Sequence, residues 1–161
     1  MRIRPSLLIA AAAAAVIALS PAAFGQETGG TADEAKAMLM KAIVAVRADE
    51  GKALDMFNKG EGGFRDRDLY VFCVNANDGT IVATGNPNLK PALGTDIRAA
   101  QNSTGEAFGA QIYAAMQKPE GEITEVGYMA PRPGPDDTLA ARVSLVARAD
   151  GNIGCGVSYY K

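Results

Sequence analysis

The chain has 161 residues, a formal net charge of −2, two cysteines and no histidine. Without histidine, the sequence excludes a Ser-His-Asp triad, an imidazole general base and an imidazole metal ligand, and two cysteines alone are too few for a metal site. The balance of 16 Lys and Arg against 18 Asp and Glu, with no basic stripe, argues against nucleic acid and anionic membranes as partners. The length fits one domain with its own core.

Residues 1–25 have the pattern of a secretory signal. A basic start precedes an apolar run over residues 7–19, and Ala23 and Gly25 occupy the positions that a signal peptidase reads. An uncleaved membrane anchor is the alternative, but the run is shorter than the roughly 20 residues that a bilayer span requires. We therefore predict cleavage after Gly25, a periplasmic or secreted location, and no stable membrane insertion after cleavage.

The next residues predict a flexible leader at 26–32 and a single domain over 33–161. Thr31 and Glu34 have the spacing of a capping box, which predicts a helix start. Apolar residues at three- and four-residue spacing continue this helix and predict a stripe that packs on a sheet. They are Ala35, Met38, Leu39, Ala42, Ile43 and Val46. A short second helix is predicted over residues 52–58.

Residues 68–85 predict an antiparallel hairpin. Two β-rich runs flank an Asn-Asp-Gly turn at 77–79, whose residues tolerate the positive φ of tight turns. Residues 75–79 also resemble a calcium loop, but they lack its acidic spacing and closing glutamate, so we interpret them as a hairpin turn. Prolines in residues 86–91 predict an irregular, structured loop after the hairpin.

The second half of the chain predicts one more helix and three strands. Helical spacing of apolar residues indicates a helix within 105–118, and alternation of polar and apolar residues indicates half-buried strands over 122–129 and 140–148. A proline-rich loop at 131–137 separates these strands, and the last strand covers 153–160. The predicted fold is therefore α+β, with about five antiparallel strands and the helices on one side.

Alternation along the predicted strand at 140–148 places two pairs of side chains on opposite faces. Arg142 and Ser144 share one face, and Val143 and Leu145 share the other. One face meets the main helix, and the other meets either solvent or a pocket. On spacing alone solvent is favoured, because an arginine that alternates with apolar residues is typical of the wet face of a strand.

Several segments resemble the single Cache family (Cache type 2-like) of extracytoplasmic sensor domains, over roughly residues 33–161. These segments are Phe64 to Phe72, the Asp78-Gly79-Thr80 turn, Asn86 to Leu89, Gly94, and Gly154 to Val157. The resemblance implies a PAS-like antiparallel sheet of about five strands, with a long N-terminal helix, a second helix packed on it, and the first and last strands as neighbours. Thr84 and Gly85 replace a histidine-containing pattern of the family, so the resemblance does not identify the ligand.

The strand order implied by the Cache resemblance bears on the two cysteines. Cys73 and Cys155 lie in predicted strands, and export would place them in an oxidising compartment. Neighbouring first and last strands would favour a disulfide between them. Two separate buried thiols are the alternative, because a slip of one residue in register would put the sulfurs on opposite faces of the sheet.

The resemblance also implies a ligand site. Cache relatives commonly carry a lysine followed two residues later by a serine, and Arg142 and Ser144 occupy the matching positions. An arginine there would bind a carboxylate through two parallel hydrogen bonds. Tyr128 matches a family aromatic and would donate its hydroxyl, or else serve as a core ring with a wet edge. Tyr70 is interpreted as core or pocket wall.

Together, the residues and the resemblance predict a non-enzymatic periplasmic sensor module without a cofactor. It would bind a small organic acid or amino acid and pass its occupancy to a partner such as a membrane receptor or kinase. The alternative is a non-catalytic interaction or structural domain of the cell envelope that kept the Cache fold without ligand binding.

Overall fold

The computed structural model describes residues 29–134 and 138–161. The predicted signal at 1–25, residues 26–28 of the leader, and the Asp136–Asp137 pair of the proline-rich loop lie outside these ranges. Within them, no helix combines the length and the apolarity that a membrane span requires. Signal cleavage and the domain boundaries remain predictions.

The N-terminal helix begins at the predicted capping box. In α1 (Ala32–Ala48), the Thr31 hydroxyl accepts from the Glu34 amide at 3.2 Å, and the Glu34 carboxylate accepts from the Thr31 amide at 2.8 Å. The second helix, α2 (Glu50–Lys59), starts directly after α1 because the Asp49 side chain caps its first turn. It ends at Gly60, whose φ of 69° is in the left-handed region that glycine tolerates. Both predicted helices are confirmed.

The sheet has six antiparallel strands in the described ranges. They are β1 (Arg65–Asp66), β2 (Leu69–Asn75), β3 (Ile81–Thr84), β4 (Thr124–Pro131), β5 (Leu139–Asp150) and β6 (Ile153–Tyr160). The strands β1 and β3 each pair with β2, and the sheet continues in the order β2-β6-β5-β4. The predicted hairpin is β2-β3, and the first long strand is a neighbour of the last, as expected.

One face of the sheet packs on α1 and α2. Leu39 from α1 and Phe57 from α2 are fully buried against odd-numbered sheet residues such as Leu145. The disulfide lies in the same core: Cys73 and Cys155 are directly opposite in the β2-β6 register, with their Cα atoms 4.1 Å apart. Because the register pairs them, both sulfurs are on one face, and the structure contains the bond.

The third helix lies on the opposite face, which corrects the expectation that the helices share one side. Ile112 and Met116, in and directly after α3 (Phe108–Ala115), pack on Val126 and Val146. Since Val146 alternates with Leu145, α3 and α1 must contact different faces. The helix is shorter than the predicted range of 105–118.

A segment of two 3₁₀ turns connects the hairpin to α3 across this second face. The turns cover Pro87–Ala92 and Ile97–Ala99, so the first forms regular structure where an irregular loop was expected. Asn86 caps the first turn by accepting from the Asn88 amide, which supplies the start that prolines alone do not. At Gly109, an added Cβ would be 1.8 Å from the Ile97 carbonyl oxygen, so glycine is what lets α3 lie against this segment.

Candidate functional site

A cavity of about 150 Å³ lies between the sheet and the segment of 3₁₀ turns. The sheet contributes Tyr70, Phe72, Tyr128 and Ser158, and the opposite wall is formed by apolar residues from the connecting segment and α3. These are Leu89, Ala92, Ile97, Ala100, Phe108 and Ile112. A core cavity of this size is large enough for a molecule of about six heavy atoms, such as benzene. The cavity is therefore mostly apolar, with hydroxyl groups concentrated on its sheet side.

The segment of 3₁₀ turns is hydrogen-bonded to α2. The Lys90 side chain donates to the Asn58 carbonyl at the end of α2, and the Asn58 side chain accepts from the Thr84 amide at 3.0 Å. Thr84 itself lines the cavity. The Lys90 bond joins the first 3₁₀ turn to α2, and the Thr84 bond joins α2 to β3.

The structure places Arg142 and Ser144 on the cavity side of the sheet. Val143 and Leu145 are buried in the α1 core, so the intervening residues face α3 and the cavity instead of open solvent. Ser144 is fully buried, and Arg142 is half-buried. The solvent-facing alternative left open by the sequence is therefore not what the fold contains.

Arg142 is held by two tyrosines. Its Nη1 donates to the Tyr160 hydroxyl and its Nη2 to the Tyr70 hydroxyl, both at 3.1 Å. The guanidinium also lies over both rings, with its central carbon 4.8 Å from the Tyr160 centroid and 5.4 Å from the Tyr70 centroid. Its Nε is buried and has no hydrogen-bond partner in the part of the chain that is described. No carboxylate in that part forms an ion pair with it.

The local electrostatics keep this guanidinium charged. Burial works to lower the pKa of Arg142, but the oxygens of Tyr70, Tyr128 and Tyr160 favour the cation, and the net pKa is raised above its ordinary value. Burial raises the pKa of Tyr160, which keeps that phenol neutral. The site therefore contains a half-buried positive charge without a described acidic partner.

Arg142 does not itself line the cavity. Tyr70 lines it, and Arg142 lies behind Tyr70, bonded to the phenol oxygen. Because that oxygen accepts from Arg142 and has no other partner among residues 29–134 and 138–161, the Tyr70 proton is available to a ligand. Of the four predicted ligand-binding residues, Tyr70 and Tyr128 line the cavity, and Arg142 and Ser144 contact it through them.

A row of three hydroxyls crosses the same side of the sheet. The Tyr128 hydroxyl is 3.1 Å from the Ser144 Oγ, which is 2.6 Å from the Ser158 Oγ. The Tyr128 ring stacks on Phe108, with centroids 4.3 Å apart and an interplanar angle of 10°, so its orientation is restrained. We call Tyr128, Ser144 and Ser158 the hydroxyl chain.

Sequence reasoning missed Ser158 and Tyr160. Both lie on the even-numbered face of β6, and Ser158 is directly opposite Ser144 in the β5-β6 register. Their alternation with Val157 and Tyr159 was visible in the sequence, and could have indicated a shared face. Which residue of β5 each would meet depended on the register.

Comparisons with known proteins agree with this architecture. No family model and no curated protein matches the chain. A methyl-accepting chemotaxis protein from Vibrio parahaemolyticus RIMD 2210633 is similar in structure, with 18% identity and a TM-score of 0.53, over 77% of this chain and 85% of that chain. A periplasmic sensor domain of a chemotaxis protein has 14% identity and a TM-score of 0.54, over 80% and 88%.

A third similar structure is a Cache chemosensory domain described for its recognition of carboxylic acid. It has 17% identity and a TM-score of 0.51, over 80% of this chain and 86% of that chain. The chain therefore has the α+β fold of the Cache-like sensor domains, as predicted. Two of these neighbours are described as sensory domains and the third as a chemotaxis protein, and at these identities the likeness shows the fold.

Proposed function

We propose that the chain is a periplasmic sensor module that binds a small carboxylate in the cavity and passes its occupancy to a partner protein. The observation that carries the proposal is Arg142, a half-buried cation with a buried, unpaired Nε and no described acidic partner, directly behind the cavity wall. A buried charge without a counter-ion is costly, and a ligand carboxylate would supply that counter-ion.

The contacts of Arg142 suggest how a carboxylate would bind. The Tyr70 hydroxyl accepts from Arg142 and would donate its own proton to a ligand oxygen in the cavity. A hydrogen bond to a charged acceptor is stronger than one between neutral groups, and the guanidinium behind Tyr70 polarises its hydroxyl further. If the Tyr70 ring shifts, Arg142 would offer Nε and Nη2 together, which is the geometry of a bidentate carboxylate bond.

The apolar wall of the cavity limits the chemistry of the part of the ligand beyond its carboxylate. Leu89, Ile97 and Phe108 offer no hydrogen bonds from their side chains, so a short aliphatic group suits this part of the cavity. Together with the volume, this favours a monocarboxylate or small amino acid over a larger or highly charged molecule. The periplasmic location depends on the predicted signal, and the partner class of membrane receptor or kinase is proposed by analogy with the chemotaxis neighbours.

A thermal-shift screen of small organic acids and amino acids on the purified protein tests the proposal. A ligand at a hundred times its dissociation constant should raise the free energy of unfolding by about 2.7 kcal/mol. Arg142→Ala should abolish the shift, and Arg142→Lys should weaken it because lysine keeps the charge but not the fork of donors.

Arg132→Ala is the matched control. Arg132 also lies over the Tyr160 ring, at 5.2 Å, but it is exposed and does not contact the cavity, so this variant should bind as the parent does. If Arg142→Ala binds the ligand as the parent does, Arg142 is not part of the binding site. A screen without any shift would favour the alternative, an envelope interaction domain that kept the fold and lost the ligand.

A further inference from the structure

The hydroxyl chain reaches the cavity at both of its ends. Tyr128 and Ser158 line the cavity, and Ser144, which joins them, is fully buried behind it. Ser158 is only 3% exposed, so its contact with open solvent is negligible. The unused hydrogen-bonding capacity of Ser158 is therefore directed at whatever occupies the cavity, and Tyr128, which is half-buried, lines the same cavity.

Counting protons shows that such capacity exists. Each hydroxyl carries one proton, and the chain's two hydrogen bonds use two of the three. Within the described ranges, neither Tyr128 nor Ser158 has another hydrogen-bond partner. If Ser144 accepted both bonds, its own proton would be left unpaired in a fully buried position, which is costly. The favoured arrangements therefore run in one direction, with a proton to donate at one end and lone pairs to accept at the other.

The direction of the chain is free to reverse. Hydroxyl protons rotate, so the bonds can run from Tyr128 through Ser144 to Ser158, or the other way. A ligand that donates to one end of the hydroxyl chain would reverse the donor and acceptor in both hydrogen bonds of Ser144. The opposite end would then become a donor. The two ends are thus coupled through a residue that the ligand does not contact.

We propose that the hydroxyl chain selects an acid that carries a hydroxyl group on the carbon next to its carboxylate. The inference rests on the proposed carboxylate function and specifies its ligand class. A plain carboxylate only accepts hydrogen bonds, so it would use Tyr70 and the donating end and leave the accepting end unpaired. A short hydroxy acid both accepts and donates, and therefore satisfies both ends within a cavity that holds about six heavy atoms.

Matched pairs of acids test the proposal by calorimetric titration of the purified protein. Lactate and propionate differ by one hydroxyl on the carbon next to the carboxylate, as do glycolate and acetate. Lactate should bind about tenfold tighter than propionate or more, because a buried hydroxyl left without its partner is penalised on that scale. Tyr128→Phe and Ser158→Ala should each reduce this ratio, with a smaller effect on propionate alone. Tyr159→Phe, whose ring faces the α1 core, should leave the ratio unchanged.

A double-mutant cycle tests the coupling itself. With Ser144 present, the combined Tyr128→Phe and Ser158→Ala variant should lose less lactate affinity than the product of the two single losses, since either change already disrupts the chain. In a Ser144→Ala background the two losses should multiply, because the ends then act independently. Losses that multiply in both backgrounds would overturn the coupled chain.

The outcomes separate this inference from the function on which it rests. If propionate and lactate bind equally and the variants weaken both alike, the carboxylate site stands and the selection by the hydroxyl chain is refuted. If neither pair binds and no acid stabilises the fold, the proposed function fails and the inference fails with it.

Discussion

The two faces of the sheet contain the same strands and differ sharply in chemistry. Towards α1, the odd-numbered residues of β5 and β6 are apolar or disulfide-bonded, as at Leu145 and Cys155. Towards α3, the even-numbered residues include Ser158, which lines the cavity, and Arg142 and Ser144, which lie behind its wall. One face therefore supplies stability, and the other carries groups that cost stability when they are buried.

This division follows from the energetics of burial. A half-buried cation and several buried hydroxyls reduce the free energy of unfolding unless their buried polar atoms are paired, and the buried Arg142 Nε has no partner in the described ranges. A continuous apolar core and a cross-strand disulfide on the opposite face offset that cost. We therefore expect substitutions on the α1 face to change mainly the free energy of unfolding, and substitutions on the cavity face to change mainly ligand binding.

The largest expected effect comes from removing the disulfide. The Cys73→Ala/Cys155→Ala double variant frees a loop with a sequence separation of 82 residues and should lose about 4 kcal/mol of unfolding free energy in the loop-entropy model. Urea unfolding measures the loss. Thiol counting on the denatured, unreduced parent should find no free thiol, and two free thiols would contradict the bond.

A single core truncation on the α1 face should have the next largest effect. Leu39 is fully buried, and Leu39→Ala should lower the free energy of unfolding by about 3 kcal/mol because it leaves a cavity against the sheet. Ligand affinity should remain that of the parent.

The matched control lies on the same helix. Val44 is 67% exposed, so Val44→Ala should change the unfolding free energy by less than about 0.5 kcal/mol. If Leu39→Ala also weakened binding at temperatures where it is fully folded, the separation between the faces would not hold.

Gly156→Ala should have a smaller effect on stability and a clear effect on binding. An added Cβ would be 2.4 Å from the Phe72 ring, so Phe72, which lines the cavity, must move. We expect a loss of about 2 kcal/mol from overpacking, together with weaker ligand binding. Gly127→Ala, in β4 of the same sheet, is the control, since nothing lies within 4 Å of its added Cβ. Equal effects of the two substitutions would refute this account.

Local patterns in the sequence determined most elements of the fold. The capping box at Thr31 and Glu34 located the start of α1, and alternation located β4 and β5 near 122–129 and 140–148. These signals depend on neighbours along the chain, whose geometry is set by backbone periodicity. The extent of α3 was less predictable, because the Asn102 side chain holds Thr104 and Glu106 in a loop where helical spacing had already begun.

Only the tertiary structure decided how the candidate site is assembled. Alternation put Arg142 and Ser144 on one face, but the register of β5 against β6 paired Ser144 with Ser158 and brought Tyr160 to Arg142. The α3 helix lies on that face because Gly109 allows it to approach the segment of 3₁₀ turns. Contacts between residues distant in sequence depend on register and close packing, which local periodicity does not specify, and these contacts placed Arg142 behind the cavity wall instead of in it.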